Sequence, residues 1–403
     1  MSPESFHTLY KLLGSVSGFI YPNELEIRWS ILIVVYPYVT GLVAGAFILA
    51  SLVKVFNVKD VQPVYRLSLL TALAFLLVAP LPLQAHLGRP ERAYEIFLTP
   101  NLSSAMAMFG FVYAWYLMGV LLLEMWFEYR RDLVVWSREE KFPMSWIYWI
   151  LSLFSRDVSE RAVKFDMKAV RTITIIGIPS AFLLHGYVGF IFGSVKANPW
   201  WSSVLMPIVF LMSAIVSGIA LVIVLYMVLI PLKGGKIDMK CLDTLTSYLF
   251  YAVIVDFSLE ALDFIHRLYE SEESIQILGA LIADKLLISL VVIQILLGML
   301  IPAAILVAVK SMKLDPELRK LLYFVSAILI QIGIFSTRWN VVIGGQLFSK
   351  SFRGLTTYKM EMMGVEGLLV ALVFLILPFI ILGVLVKIFP PWKASELGEA
   401  KTS

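Results

Sequence analysis

Three carboxylates, Asp256, Glu260 and Asp263, recur at i, i+4 and i+7 within LFYAVIVDFSLEALDFIH (249–266). That spacing puts them on one face of a helix. A stripe of three acids inside an apolar segment cannot stay fully ionised in a low dielectric without cations, so it is suited to exchanging protons. His266 closes the same segment, while Arg338 and Glu366 stand at the ends of two others. These six residues make up the expected proton path. The competing reading is a buried scaffold in which Arg338 pairs with Asp263 or Glu260.

A second set lies in HGYVGFIFG (185–193). His185 and Tyr187 sit beside Gly186, Gly189 and Gly193, which leave room for another helix or for a flat ring. A histidine and a tyrosine next to such room are suited to hydrogen-bonding the carbonyl oxygens of a quinone. Glycine spacing alone serves helix packing equally well, as Gly41 and Gly45 would. In QAHLGRPERAYEIF (84–97), His86 and Arg89 fall just beyond an apolar run. Taken singly they read as a solvated helix end with snorkelling side chains. Glu124 is the main acid on the opposite side and reads as a headgroup-level residue, so no complete transmembrane relay is expected.

The elements that hold these residues follow from composition. Of 403 residues 60% are apolar and 15% charged, and the mean hydropathy is +0.86. Such values describe an all-α integral membrane protein rather than a soluble domain. Runs of about 20 apolar residues, enough to cross roughly 30 Å of hydrocarbon, occur near 29–53, 67–87, 103–127, 172–193, 202–231, 244–266, 286–309, 321–341 and 364–386. About nine transmembrane helices are therefore expected, within a range of eight to ten. Pro37, Pro80, Pro179, Pro207, Pro302 and Pro378 fall inside these runs and read as kinks. Residues 1–28 lack a continuous apolar core and read as an external, aromatic-rich interfacial segment, clearest over 6–21.

Of the 33 Lys and Arg, 22 fall on one side of this arrangement, 10 on the other, and Arg338 within a span. The positive-inside rule then puts the amino terminus outside and the carboxy terminus in the cytoplasm of a plasma-membrane protein. Segment 128–171 carries nine of these cations together with MSWIYWILSLF (144–154). It reads as a cytoplasmic amphipathic helix on the membrane surface, with a re-entrant hairpin as the alternative. The net charge of +4 reflects topology and gives no reason to invoke nucleic acid. Cys241 is the only cysteine, whereas an iron–sulfur cluster takes four thiolates, so no such cluster is expected in this chain. Single histidines on separate helices do not specify a haem site either. The expected units are 29–231 as a first bundle, 232–341 as a second bundle core, and 342–403 as a last helix with its tail.

PYVTGLVAGAFILASL (37–52), HLGRPERAYEIFLTPNLSSAMA (86–107), GYVGFIFGSVKANPWWSSVLMPIVFLMSAIVSGIA (186–220) and RWNVVIGGQ (338–346) occur in an order that resembles the NrfD/PsrC family of respiratory membrane subunits. HGYVGF and KANPWW look most like membrane subunits of sulfur reductase or of the complex linked to dissimilatory sulfite reductase. The resemblance implies two four-helix bundles, with 364–386 as an additional helix. It also implies that menaquinone or another quinone binds near the outer leaflet and exchanges electrons with a ferredoxin-like iron–sulfur subunit, which contacts a catalytic or cytochrome subunit. The family's quinone-contacting tyrosine falls on Tyr187. Its first-helix contacts fall on Tyr36, Tyr38 and Thr40, where this chain offers no histidine; His86 and Arg89 complete the expected quinone set. A structural anchor without a working quinone site and a secondary transporter are the alternatives. The transporter would call for an inverted repeat with broken helices, and neither is evident.

Overall fold

The computed structural model describes residues 16–270 and 274–392. Residues 1–15, with most of the aromatic segment 6–21, and the tail 393–403 lie outside the described residues. The described part of the amino-terminal segment includes β1 (Ser17–Phe19), which pairs antiparallel with β2 (Arg353–Leu355).

Among the described residues nine long helices follow one another: α1 (Ile31–Lys54), α2 (Lys59–His86), α3 (Ala107–Glu139), α4 (Glu160–Gly193), α5 (Met206–Leu232), α6 (Met239–Glu270), α7 (Ile275–Ser311), α8 (Pro316–Gln346) and α9 (Leu368–Ile388). All except α6 are long and apolar enough to cross a membrane by composition alone. The crossing of α6, which carries the acidic stripe, follows from its two ends. Lys240 pairs with Asp60 in the first turn of α2, at 2.7 Å, whereas Arg267 donates to the carbonyl of Pro199 in the turn after α4. Its 32 residues reach about 48 Å at 1.5 Å each. The loops thus divide between an amino-terminal face, where α1 begins, and a carboxy-terminal face, where α9 ends.

Helices α1–α4 form one bundle and α5–α8 a second, and α9 packs outside them on α2 and α1. The bundles meet where α1 crosses α5. A Cβ on Gly218 would lie 2.3 Å from the carbonyl carbon of Gly45, so two glycines let the backbones touch. Helices α7 and α8 use the same device at Gly298 and Gly333. Of the prolines expected as kinks, Pro37, Pro179 and Pro378 are carried inside helices. Pro207 instead lies in the first turn of α5, where the missing N–H costs nothing, and Pro80 interrupts α2.

On the carboxy-terminal face the stretch after α3 forms a short helix, Met144–Leu151. Trp146 and Trp149 are exposed on it while Tyr148 is buried against Trp136, the two-sided pattern of an interfacial helix. Arg130 ties this segment down by donating to Asp166 at 2.6 Å and to the carbonyl of Asp157.

The amino-terminal face is fixed by an aromatic clasp. The last carbonyls of a helix lack intrahelical donors, and the indole N–H groups of Trp200 and Trp201 supply them to Asn340 and Val341 of α8, at 2.8 and 2.6 Å. Asn198 donates to Gly345 in the same corner. Trp201 then stacks on Trp29, with centroids 5.2 Å apart, and locks the start of α1 to the end of α8.

Candidate functional site

A cavity of about 560 Å³ opens among α1–α4 at the amino-terminal face. Its wall is almost wholly apolar and aromatic, with Trp29, Tyr36, Phe109, Tyr113 and Phe192 contributing rings. Loop residues 92–97 and the end of α2 close its side. Phe109 meets Tyr36 edge to face at 5.2 Å, and Tyr113 spends its hydroxyl proton on the carbonyl of Leu76. The polar atoms left for an occupant are therefore few. The Tyr36 hydroxyl is buried and has no protein partner; the Tyr187 hydroxyl is also buried and unpartnered, but Tyr187 is not among the residues that line the cavity. At the rim, His86 Nδ1 lies 3.0 Å from Glu366 Oε1, which links the end of α2 to the approach to α9.

The predicted first-helix contacts separate in space. Tyr36 lines the cavity, whereas Tyr38 points to the other bundle and donates to Gln331 Oε1 at 2.7 Å. Thr40 donates to the Tyr36 carbonyl one turn back, the usual habit of a buried threonine in a helix. Arg89 is exposed and does not line the cavity; Arg92, three residues on, does, while paired with Glu95. The rings Trp29, Phe109, Tyr113 and Phe192 do not figure among the residues expected from the sequence, since an aromatic residue in a membrane span carries no spacing signal of its own.

His185 and Tyr187, two residues apart, occupy different surroundings. His185 is fully buried between the bundles, with Nε2 3.2 Å from Arg338 Nη2 and its ring stacked on Phe210. The glycine-lined room beside it is filled by protein. A Cβ on Gly189 would lie 2.7 Å from the carbonyl of Met206, and one on Gly193 2.6 Å from that of Ser203, so these glycines admit the start of α5 rather than a ring.

The acidic stripe is divided along its length. Asp263, nearest the amino-terminal face, pairs with Arg267 at 2.9 Å and accepts from Ser203. Glu260 accepts from Gln294 Nε2 at 2.8 Å, and Gln294 in turn accepts from Asn340 at 2.7 Å. Asp256 is buried with Oδ1 unpartnered. A small cavity of about 70 Å³ touches Glu260, Asp263 and Asn340. Arg338 lies in the field of Asp256 and Glu260 yet bonds to His185, to Ser213 at 2.6 Å and to the Phe210 carbonyl. Among the described residues no ion pair joins it to an acid of the stripe. Asp263 finds its cation in Arg267, one turn along its own helix, rather than in Arg338. His266 is exposed near the end of α6.

Glu124 departs from its expected headgroup position. It is fully buried inside the first bundle, within 2.8 Å of Thr174 and 3.4 Å of Tyr65. The next acids on α3, Glu128 and Asp132, one and two turns later, are the ones paired with Lys54 and Arg66.

The polysulphide reductase NrfD family profile matches residues 22–350. The chain belongs to the NrfD family. A selenate reductase subunit of Mesobacillus selenatarsenatis is 30% identical over 335 residues, covering 78% of this chain and 73% of that protein. A putative dimethyl sulfoxide reductase membrane subunit of Halobacterium salinarum is 29% identical over 203 residues, 49% of this chain and 42% of its own length. The Hdr-like menaquinol oxidoreductase integral membrane subunit of Archaeoglobus fulgidus is 23% identical over 198 residues, 49% of this chain and 41% of its own. The matched NrfD segment runs from just before the clasp at Trp29 to just past the end of α8. The cavity and the acidic stripe therefore lie inside the family region, and α9 lies beyond it.

Proposed function

We propose that this protein is the quinone-interacting membrane subunit of a respiratory oxidoreductase complex, exchanging electrons between a quinone in the amino-terminal cavity and an adjoining ferredoxin-like iron–sulfur subunit. One observation carries the reading: an aromatic cavity of about 560 Å³ lined by His86 and by Tyr36, whose buried hydroxyl has no protein partner. Pockets for small cofactors are built this way, apolar over most of their surface with a few polar groups that fix orientation. A bound quinol supplies two electrons for the partner's cluster and two protons for the protein to remove. Tyr36, backed by Tyr187, would hold one quinone oxygen. His86 would receive a proton through its ring nitrogen and hand it to Glu366, which reaches the surface. The protein's part is position, hydrogen bonding and proton exchange.

The basic residues on the carboxy-terminal face support an orientation in which the cavity lies in the outer leaflet and the carboxy terminus in the cytoplasm. One relative is named for menaquinol, which supports menaquinone as the occupant. Others are named for selenate and dimethyl sulfoxide, and the motifs resemble sulfur and sulfite systems. A sulfur or selenium compound is therefore the class proposed for the catalytic partner. The deciding experiment fills the cavity: Ile191→Trp, from a lining position, should abolish quinol-dependent electron transfer in an assembled complex and remove co-purifying quinone. Unchanged quinol kinetics in that variant would exclude this cavity.

A further inference from the structure

Glu124 of α3 is fully buried on the side of the bundle away from the cavity, and the roles proposed above make no use of it. Its Oε1 lies 2.8 Å from Thr174 Oγ1 and 3.4 Å from the Tyr65 hydroxyl; its Oε2 has no partner. Thr174 Oγ1 also lies 2.8 Å from the carbonyl of Val170, one turn back on α4. A hydroxyl has one proton to give. If it goes to Val170, the 2.8 Å contact with Glu124 is a hydrogen bond only when the carboxyl is the donor, that is, protonated. If Glu124 is ionised, Thr174 must turn its proton from the carbonyl to the carboxylate. Two protonation states thus correspond to two settings of one hydroxyl, with no rearrangement of the helices.

The surroundings give this acid a way out in one direction only. One turn toward the carboxy-terminal face, Glu128 is bound by Lys54 at 2.8 Å and Arg66 at 3.0 Å, and Arg66 continues to Asp132 at 2.8 Å. Lys54 and Arg66 are 26% and 21% exposed, so this polar cluster reaches the surface. Toward the amino-terminal face the route is closed. Phe47 and Val120 fill the space over Gly177, where an added Cβ would lie 2.2 Å from Phe47 Cζ, and Phe47 meets Tyr116 edge to face. The titratable and charged groups that act on Glu124 are Lys54 of α1, Tyr65 of α2, and Tyr116 and Glu128 of its own helix; α4 presents Thr174.

The placement has a backbone cause. Trp115–Leu121 winds as a π-helix and ends just before this turn. One residue inserted into α-helical winding rotates everything after it by about 100°. The face that Glu124 presents to Thr174 and Tyr65 is therefore set by the π segment, and such insertions recur at functional positions.

We propose that Glu124 is a proton-exchanging site that loads and unloads from the carboxy-terminal face through the Glu128, Lys54, Arg66 and Asp132 cluster. It gives the chain a protonatable group in the half of the membrane opposite the cavity. The proposal stands whether or not a quinone occupies that cavity.

Infrared difference spectroscopy on the full-length protein in proteoliposomes of one orientation tests it without any activity readout. A pH step on the side of the carboxy-terminal face should raise a carboxylic-acid C=O band that shifts in deuterated buffer. Glu124→Gln, which keeps the shape of the protonated side chain, should lose the band while the protein folds. Thr174→Val should move it, because the acid loses its acceptor. A band that survives in Glu124→Gln, that fails to shift in deuterated buffer, or that follows only the pH on the amino-terminal side overturns the proposal.

Discussion

His185 Nε2 and Arg338 Nη2 lie 3.2 Å apart in the fully buried seam between the two bundles. A guanidinium only donates, so this contact is a hydrogen bond in the tautomer whose Nε2 accepts and whose proton sits on Nδ1. The pair joins α4 of one bundle to α8 of the other, and the glycine at position 41 makes room for it, since a Cβ there would lie 3.1 Å from His185 Cε1. His185→Ala should therefore cost stability, about 1–3 kcal/mol for a buried donor left without its acceptor. His185→Gln, which retains an acceptor, should recover much of that loss. Thermal unfolding of the detergent-solubilised protein measures both. An alanine variant as stable as the parent would mean that Arg338 is held without the histidine.

Tyr36 and Tyr38 differ by two positions and by everything that surrounds them. Tyr36→Phe removes a hydroxyl with no protein partner, so it should leave stability unchanged and slow quinol oxidation by the complex. Tyr38→Phe removes the donor to Gln331 and should cost about 0.6–1 kcal/mol, with quinol kinetics unaltered. The crossed pattern is what separates a cavity residue from a packing residue. Equal effects of both variants on quinol kinetics would assign neither to the site.

The two tyrosines also mark what could be read from the chain alone. Apolar run length located the crossings, and the i, i+4, i+7 rule put Asp256, Glu260 and Asp263 on one face. Such periodicities say which residues share a side of a helix, and say nothing about which neighbour comes to that side. Gly189 and Gly193 could admit a ring or a helix, and a helix filled the space. Asp263 took Arg267 as its cation in place of Arg338, because Arg267 sits one turn away on the same helix. Glu124 escapes sequence reasoning for a related reason. Its distance from the end of an apolar run suggests the headgroup level, but α3 continues as a helix to Glu139 and keeps Glu124 buried within the bundle.

The clasp at the amino-terminal face leads to a stability prediction. Gly345 faces the Trp201 indole so closely that an added Cβ would lie 2.0 Å from Nε1. Gly345→Ala should displace the indole, break its hydrogen bond to Val341 and loosen the stack on Trp29, with loss of folded protein in the membrane. Trp201→Phe keeps a ring against Trp29 and loses only the donor, so it should be the milder change. Expression levels and thermal unfolding compare the two, and an order opposite to this would mean that the stack matters less than the cap.

Orientation can be checked with fusions at residue 392, the last described position. A fluorescent protein attached there should fluoresce and alkaline phosphatase should be inactive, as expected for a cytoplasmic carboxy-terminal face. Active phosphatase would invert the proposed sidedness, and the cavity would then open to the cytoplasm.

Glu260 distinguishes a proton path from a scaffold at the stripe. Its Oε2 accepts from Gln294 while Oε1 is unpartnered, and Arg338 acts on it through space rather than by contact. Glu260→Gln keeps an oxygen for Gln294 and adds no bulk, so the complex should assemble. If the acid exchanges protons, the variant should turn over more slowly and lose part of the pH dependence of the parent, because amide cannot titrate where carboxyl did. If the acid only balances the charge of Arg338, removing its charge should destabilise the protein by leaving that cation in low dielectric with Asp256 alone. Slow turnover in a stable complex supports the path; an unstable protein whose residual complexes keep the parental pH profile supports the scaffold.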